Sequence, residues 1–173
     1  MKIFCLLGVG RSGIDFLQTL FDRHPQISQF PGVFSFDFFL EKIKKIDEKK
    51  KIAEIFIKEY ERFFDSKIYK IERHDELGIN QNESFKVSKE NFIKQFIKIC
   101  GNIKKKNDIF TSLHLAYSSA SGENIELKKI IVWNAHNFEN LNSQKKNLDF
   151  QILISLRNPI SSINSSISHW LAY

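Results

Sequence analysis

The sequence predicts an α/β fold with a mainly parallel sheet, and three observations carry that prediction. Short apolar-rich runs recur at 3–7 (IFCLL), which is continuous, and at 129–134 (KIIVWN) and 150–156 (FQILISL). Runs of that length without polar alternation are what strands buried on both faces look like. Between the runs, apolar residues fall at steps of three and four, the helical period. Gly8, Gly10 and Gly13 sit between the first run and the first helical pattern. Strand–helix alternation is the signature of a parallel sheet joined by crossover helices.

The elements follow in chain order. After the glycines, Ile14, Phe16, Leu17, Leu20 and Phe21 predict a helix, stopped at His24-Pro25 because proline disfavours helical backbone before it. Gln26 to Phe30 is expected as a second strand, closed by Pro31-Gly32. The aromatic patch Phe34 to Phe39 reads as core packing. Glu41 to Lys70 is a lysine-rich helical region with Ile43, Ile46, Ile52, Ile55, Phe56, Tyr60, Phe63 and Phe64 inward. Residues 72–88 are polar and loop-like. Ser88 is the expected N-cap of a helix running to about Lys104, with Phe92, Phe96, Ile99 and Ile103 inward. A further helix is expected over Asp108 to Ser119, closing at Gly122. Residues 40–125 thus form a helical insertion within one domain over 1–173. Lys129–Asn134 and Phe150–Leu156 are strands, separated by a short polar helix or loop at Phe138–Leu148. Pro159 opens the last helix, a position proline favours. That helix reaches Tyr173 with Ile163, Ile167, Trp170 and Leu171 needing a surface to pack on, so the chain is expected to be the N-terminal part of a longer protein.

Composition bounds the function. A length of 173 residues, 42% hydrophobic residues and 17 phenylalanines suit a globular domain with its own core. The net charge of +6 comes from 26 Lys and Arg against 20 Asp and Glu. It suits an anionic ligand, but the lysines are spread over helix faces, so no nucleic-acid partner is expected. Cys5 lies in a strand run and Cys100 in a helix stripe, neither in a C-x-x-C pair. Both read as core thiols of a reducing compartment. No segment nears the roughly 18 apolar residues of a membrane span. A cytoplasmic protein is expected, of undetermined oligomeric state.

The loop GVGRSG feeds a helix N-terminus, where backbone N–H groups and the positive end of the helix dipole make an anion site. Arg11 adds a permanent charge. As G-x-G-x-x-G the loop fits a dinucleotide fingerprint, but no acid follows the second strand where a ribose would need one. As G-x-x-x-x-G it begins a P-loop, but Ile14 and Asp15 stand where Lys and Ser or Thr would serve a triphosphate and Mg²⁺. What remains is a P-loop-like phosphate cradle in a three-layer α/β fold.

GVGRSGIDFLQTLFDRHPQI resembles the 5′-phosphosulfate loop of sulfotransferases that use 3′-phosphoadenosine 5′-phosphosulfate. The likeness covers Arg-Ser-Gly, the apolar helix and the Asp22-x-His24-Pro25-x-Ile27 ending of bacterial and carbohydrate-type members. LISLRNPISSINSSISHWL resembles the same family's 3′-phosphate motif, with Arg157 after a strand and Ser165 eight residues on. The resemblance spans residues 1–39 and 129–173. It implies a donor site made of Gly10, Arg11, Ser12, Gly13, Ile14, Arg157 and Ser165. No metal is expected, and the sulfuryl acceptor would be a hydroxyl or amine of a small molecule or carbohydrate.

The chemistry needs a cation at the leaving phosphate oxygen and a base for the acceptor proton. Arg11 fits the first. For the second, His136 is preferred, because it directly follows a strand, as a catalytic histidine does in cytosolic sulfotransferases. His114 comes next and Asp37 after it. His24 reads as structural. Three departures from the family stand out: Ile14 replaces a threonine, Asp15 adds a negative charge, and Asn134 replaces a second lysine. The alternatives are a P-loop small-molecule kinase, a non-catalytic nucleotide-binding protein and, third, a dinucleotide-dependent oxidoreductase.

Overall fold

The computed structural model describes residues 1–8, 12–68, 79–80, 82–135, 141 and 145–171, apart from the side chains of 169 and 170. It is an α/β fold. The chain divides into two compact units, one of residues 1–34 and 129–173, the other of residues 35–128.

The first unit holds four parallel strands: β1 (Lys2–Gly8), β2 (Ile27–Ser28), β3 (Ile130–Asn134) and β4 (Gln151–Ser155), in the order β2-β3-β1-β4. β1 is central, with Leu6 opposite Asn134 on one side and Gly8 opposite Ser155 on the other. Cys5, Leu6 and Leu7 are fully buried, as an unbroken apolar run in a parallel sheet requires. Burial pushes the Cys5 thiol up to about 12, so the thiolate is suppressed at neutral pH. The run at 150–156 behaves differently. β4 is an edge strand, and Leu153 and Ile154 keep 38% and 50% of their surface exposed.

The helix after the glycine loop, α1 (Ile14–Thr19), is shorter than its pattern predicts. Its stop precedes His24-Pro25: the Thr19 hydroxyl bonds back to the Phe16 carbonyl, and turns lead to Arg23, which adopts a left-handed φ of 53°. Ile14, Leu17 and Phe21 pack with Leu6, Val132, Ile27 and Ile130. The expected strand over 26–30 is reduced to Ile27–Ser28. The last helix of this unit, here α6 (Pro159–Leu171), starts on proline, with Asn158 Oδ1 accepting from Ile160 N at 2.9 Å.

The second unit contains α2 (Phe36–Ile43), α3 (Lys49–Glu59), α4 (Lys89–Ile99) and α5 (Lys106–Ala120), with 3-10 turns at Glu61–Phe63 and Ile125–Leu127. The region expected as helical from Glu41 to Lys70 is two helices, and the aromatic patch supplies the start of the first. Periodicity explains the break. Ile43 and Ile52 are nine residues apart, about 900° at 3.6 residues per turn, so one straight helix would put them on opposite faces. Both are buried, and the break lets both face inward. Residues 69 and 70 of that region lie outside the described residues. Ser88 caps α4 as expected, its Oγ accepting from Asn91 N at 3.1 Å. α4 ends at Ile99 rather than near Lys104, and the Lys49 ammonium donates to the Cys100 carbonyl. α5 closes at Gly122, where φ is 84°. There Glu123 N donates to Ser118 O and Gly122 N to Ser119 O, the paired bonds of a left-handed helix end. Stacked and edge-on rings fill the core, such as Phe56 on Phe92 at 5.3 Å and Phe36 on Phe110 at 4.9 Å. Among the described residues, no helix is long and apolar enough to cross a membrane.

Candidate functional site

In open parallel sheets, ligands gather beyond the carboxyl ends of the strands, where the strand order reverses. Here β2 and β3 lie on one side of β1 and β4 on the other, so the reversal falls between β1 and β4. The glycine loop leaves the carboxyl end of β1. Arg157 follows the carboxyl end of β4. Because the two strands are adjacent and parallel, in the register Gly8–Ser155, residues far apart in sequence emerge side by side on one edge.

Ser12, Gly13 and Ile14 are described; Gly10 and Arg11 lie outside the described residues. Gly13 takes a left-handed φ of 83°, which costs glycine nothing and other residues strain. Ser12 is folded back so closely that a Cβ on Gly8 would overlap its Oγ, which accounts for glycine at position 8. Ser12 Oγ is buried with no hydrogen-bond partner among the described residues. The loop is tied to the neighbouring strand by Ser155 Oγ, which donates to Ser12 O at 2.8 Å. Ile14 gives its side chain to the core beneath α1, so its N–H is the group it can offer a ligand. Arg157 is exposed between β4 and α6, and Ser165 is half-buried on α6.

On the other side of β1 lies a chain of amides. Gln18 Nε2 donates to the Phe30 carbonyl at 2.6 Å, and Gln18 Oε1 accepts from Asn134 Nδ2 at 2.9 Å. Gln29 Nε2 donates to Gln18 O at 3.2 Å and to Asp22 Oδ1 at 2.6 Å. Sequence reasoning passed over Gln18. Its signal is a polar residue at a core position, in step with Ile14, Leu17 and Phe21. Ser155 was missed as well, and nothing in a strand run distinguishes it.

The base candidates fare unequally. His136 lies outside the described residues. His114 is on α5 in the helical unit, fully buried, with its ring 4.8 Å from Phe110. Burial holds its pKa down at about 3, so it stays neutral and enclosed. That enclosure counts against His114 as the acceptor's base, since a base must reach the proton it takes. Asp37 lies in the first turn of α2, in the same helical unit.

Comparisons with protein-family models, with curated proteins and with solved structures gave no match to this chain.

Proposed function

We propose that this chain is a sulfotransferase that binds 3′-phosphoadenosine 5′-phosphosulfate at the carboxyl edge of its sheet. The acceptor would be a hydroxyl or amine of a small molecule or carbohydrate. The observation that supports this reading is the pairing of β1 with β4, which brings the loop bearing Ser12-Gly13 beside the turn bearing Arg157. Either motif alone is weak; side by side they make opposite halves of one donor site. The buried Ser12 Oγ without a partner among the described residues fits an oxyanion-binding loop, since such a hydroxyl is costly unless something bonds to it.

In this reading the N–H groups of Ser12, Gly13 and Ile14, with the Arg11 guanidinium, hold the 5′ phosphosulfate. Arg157 and Ser165 hold the 3′ phosphate. As the S–O bond to the phosphate breaks and the bond from sulfur to the acceptor forms, charge grows on the leaving phosphate oxygen. Arg11 meets that charge, and His136 takes the acceptor's proton. A kinase reading gains nothing from Ile14, whose side chain is committed to the core.

Calorimetric titration with 3′-phosphoadenosine 5′-phosphate tests the site. Arg157→Ala should weaken binding at least about tenfold, the effect of losing one charge-assisted contact. No binding by the unmodified chain, or binding indifferent to Arg157→Ala, overturns the proposal. Magnesium-dependent ATP hydrolysis would restore the kinase reading.

A further inference from the structure

We infer that Gln18 is a positioning residue for the loop at residues 12–14, and that it acts through the amide chain Phe30–Gln18–Asn134. The inference rests on the reading of that loop as an anion site. α1 has only six residues, far fewer than a helix needs to hold itself in water. Its placement therefore comes from tertiary contacts. The apolar contacts of Ile14, Leu17 and Phe21 are strong but non-directional, and they leave α1 free to roll or slide by small amounts. Such a roll would re-aim the backbone N–H groups of Ser12, Gly13 and Ile14, which lead directly into the helix.

The amide chain removes that freedom, and its polarity is forced. The Phe30 carbonyl can only accept, so Gln18 must turn its NH₂ towards it. Gln18 Oε1 then faces Asn134, which must turn its own NH₂ to meet it. Each amide has a single workable orientation, so α1 locks onto the carboxyl ends of β2 and β3 in one rotation. Gln18 is 7% and Asn134 2% exposed, so both bonds are shielded from competing water. An apolar residue at 18 would suit the surrounding core. A buried amide there is costly unless its bonds specify something. With Ser155 holding the loop from the β4 side, the loop is gripped from both neighbours of β1.

The test uses Gln18→Met, which keeps the shape and removes the bonds, and Gln18→Glu, which makes them depend on a proton. A protonated glutamic acid at 18 reproduces the glutamine pattern, donating to Phe30 O and accepting from Asn134. The carboxylate instead sets an oxygen against the Phe30 carbonyl. Burial and that carbonyl both raise the acid's pKa. Gln18→Met should weaken binding of 3′-phosphoadenosine 5′-phosphate about tenfold and speed amide hydrogen exchange at residues 12–18 while leaving β1 protected. For Gln18→Glu, affinity relative to the unmodified chain at the same pH should recover as pH falls, within one folded sample. A bystander core residue would not produce that recovery. Unchanged loop exchange in Gln18→Met, or a pH-independent affinity ratio in Gln18→Glu, overturns the inference. If the unmodified chain binds no nucleotide, the sulfotransferase reading falls. Loop exchange then decides the positioning role alone, faster exchange in Gln18→Met upholding it and equal exchange refuting it.

Discussion

The two units of this chain bury their apolar residues to very different degrees. In the helical unit every helix turns aromatic or aliphatic residues inward, and Phe39, Phe56, Phe64, Phe92, Phe96 and Phe110 are all fully buried. In the sheet unit, β1 and β3 are buried, but β4 and α6 are not. Ile152, Leu153 and Ile154 on the strand keep between 37% and 50% of their surface exposed, and Ile160, Ile163, Ile167 and Leu171 on the helix more than half. β1 and β4 make the contrast sharpest. They are neighbours, parallel and both rich in apolar residues, yet one is central and the other lies at an edge. An apolar run declares what a strand needs on its faces. It does not supply the neighbour that meets the need.

Three measurements can break or sharpen this contrast. The largest effect is expected for the same truncation made on the two strands. Leu6→Ala removes a fully buried side chain and should cost about 2–5 kcal/mol in urea unfolding. Leu153→Ala should cost less than about 1 kcal/mol, since much of that side chain already meets water. Equal costs would mean that β4 is covered in solution.

The second tests how tightly the helical core is closed. His114 has a folded pKa of about 3 against an ordinary 6.5, so the unfolded chain binds the proton more readily. The stability it contributes is fully present above pH 6.5 and is lost as pH falls towards 3. Between pH 7 and 5, the unmodified chain should lose about 2 kcal/mol more stability than His114→Leu. A difference near zero would show that the ring takes up a proton in the folded state, and that this core opens readily.

The smallest effect is expected for Ile154→Lys on the exposed edge strand, within about 0.5 kcal/mol of the unmodified chain. Reduced self-association is expected with it, because a lysine on an edge strand discourages further pairing. A loss above about 2 kcal/mol would place Ile154 inside an interface.

The parallel sheet was legible because three of its strands are short apolar-rich runs, and the Ser88 cap because a local hydrogen bond needs only neighbouring residues. The division of 41–70 was partly hidden. Each half keeps a helical period, and the change of phase between Ile43 and Ile52 shows only when both are assigned to one core. His114 misled because a helical histidine gives no sign of its depth. At the candidate site, the glycines and Arg157 announced themselves through spacing. Ser155 and Gln18 did not, and Asn134 stood out only as a departure from the family pattern, because their bonds are to partners over a hundred positions away, such as Ser12 for Ser155 and Asn134 for Gln18. Only the fold supplies those neighbours. Arg11 and His136 lie outside the described residues.

The anchoring of Phe34 has a consequence for how the chain could be rebuilt. Its N–H donates to Asn134 O at 3.0 Å, and its carbonyl accepts from Trp133 Nε1 at 2.7 Å. At the other end of the same strand, Lys129 N donates to Gln26 O at 2.9 Å, and Lys129 O accepts from Lys2 N at 3.1 Å. The chain therefore leaves the sheet at one end of β3 and re-enters at the other, about 17 Å away for five residues of strand. Residues 35–128 occupy the place of a β2-to-β3 crossover, for which a dozen residues can be enough. With both fixed points inside the sheet unit, the intervening segment is a natural place for a graft: a shorter crossover spanning about 17 Å would leave β1, β3 and the loop edge their present hydrogen bonds.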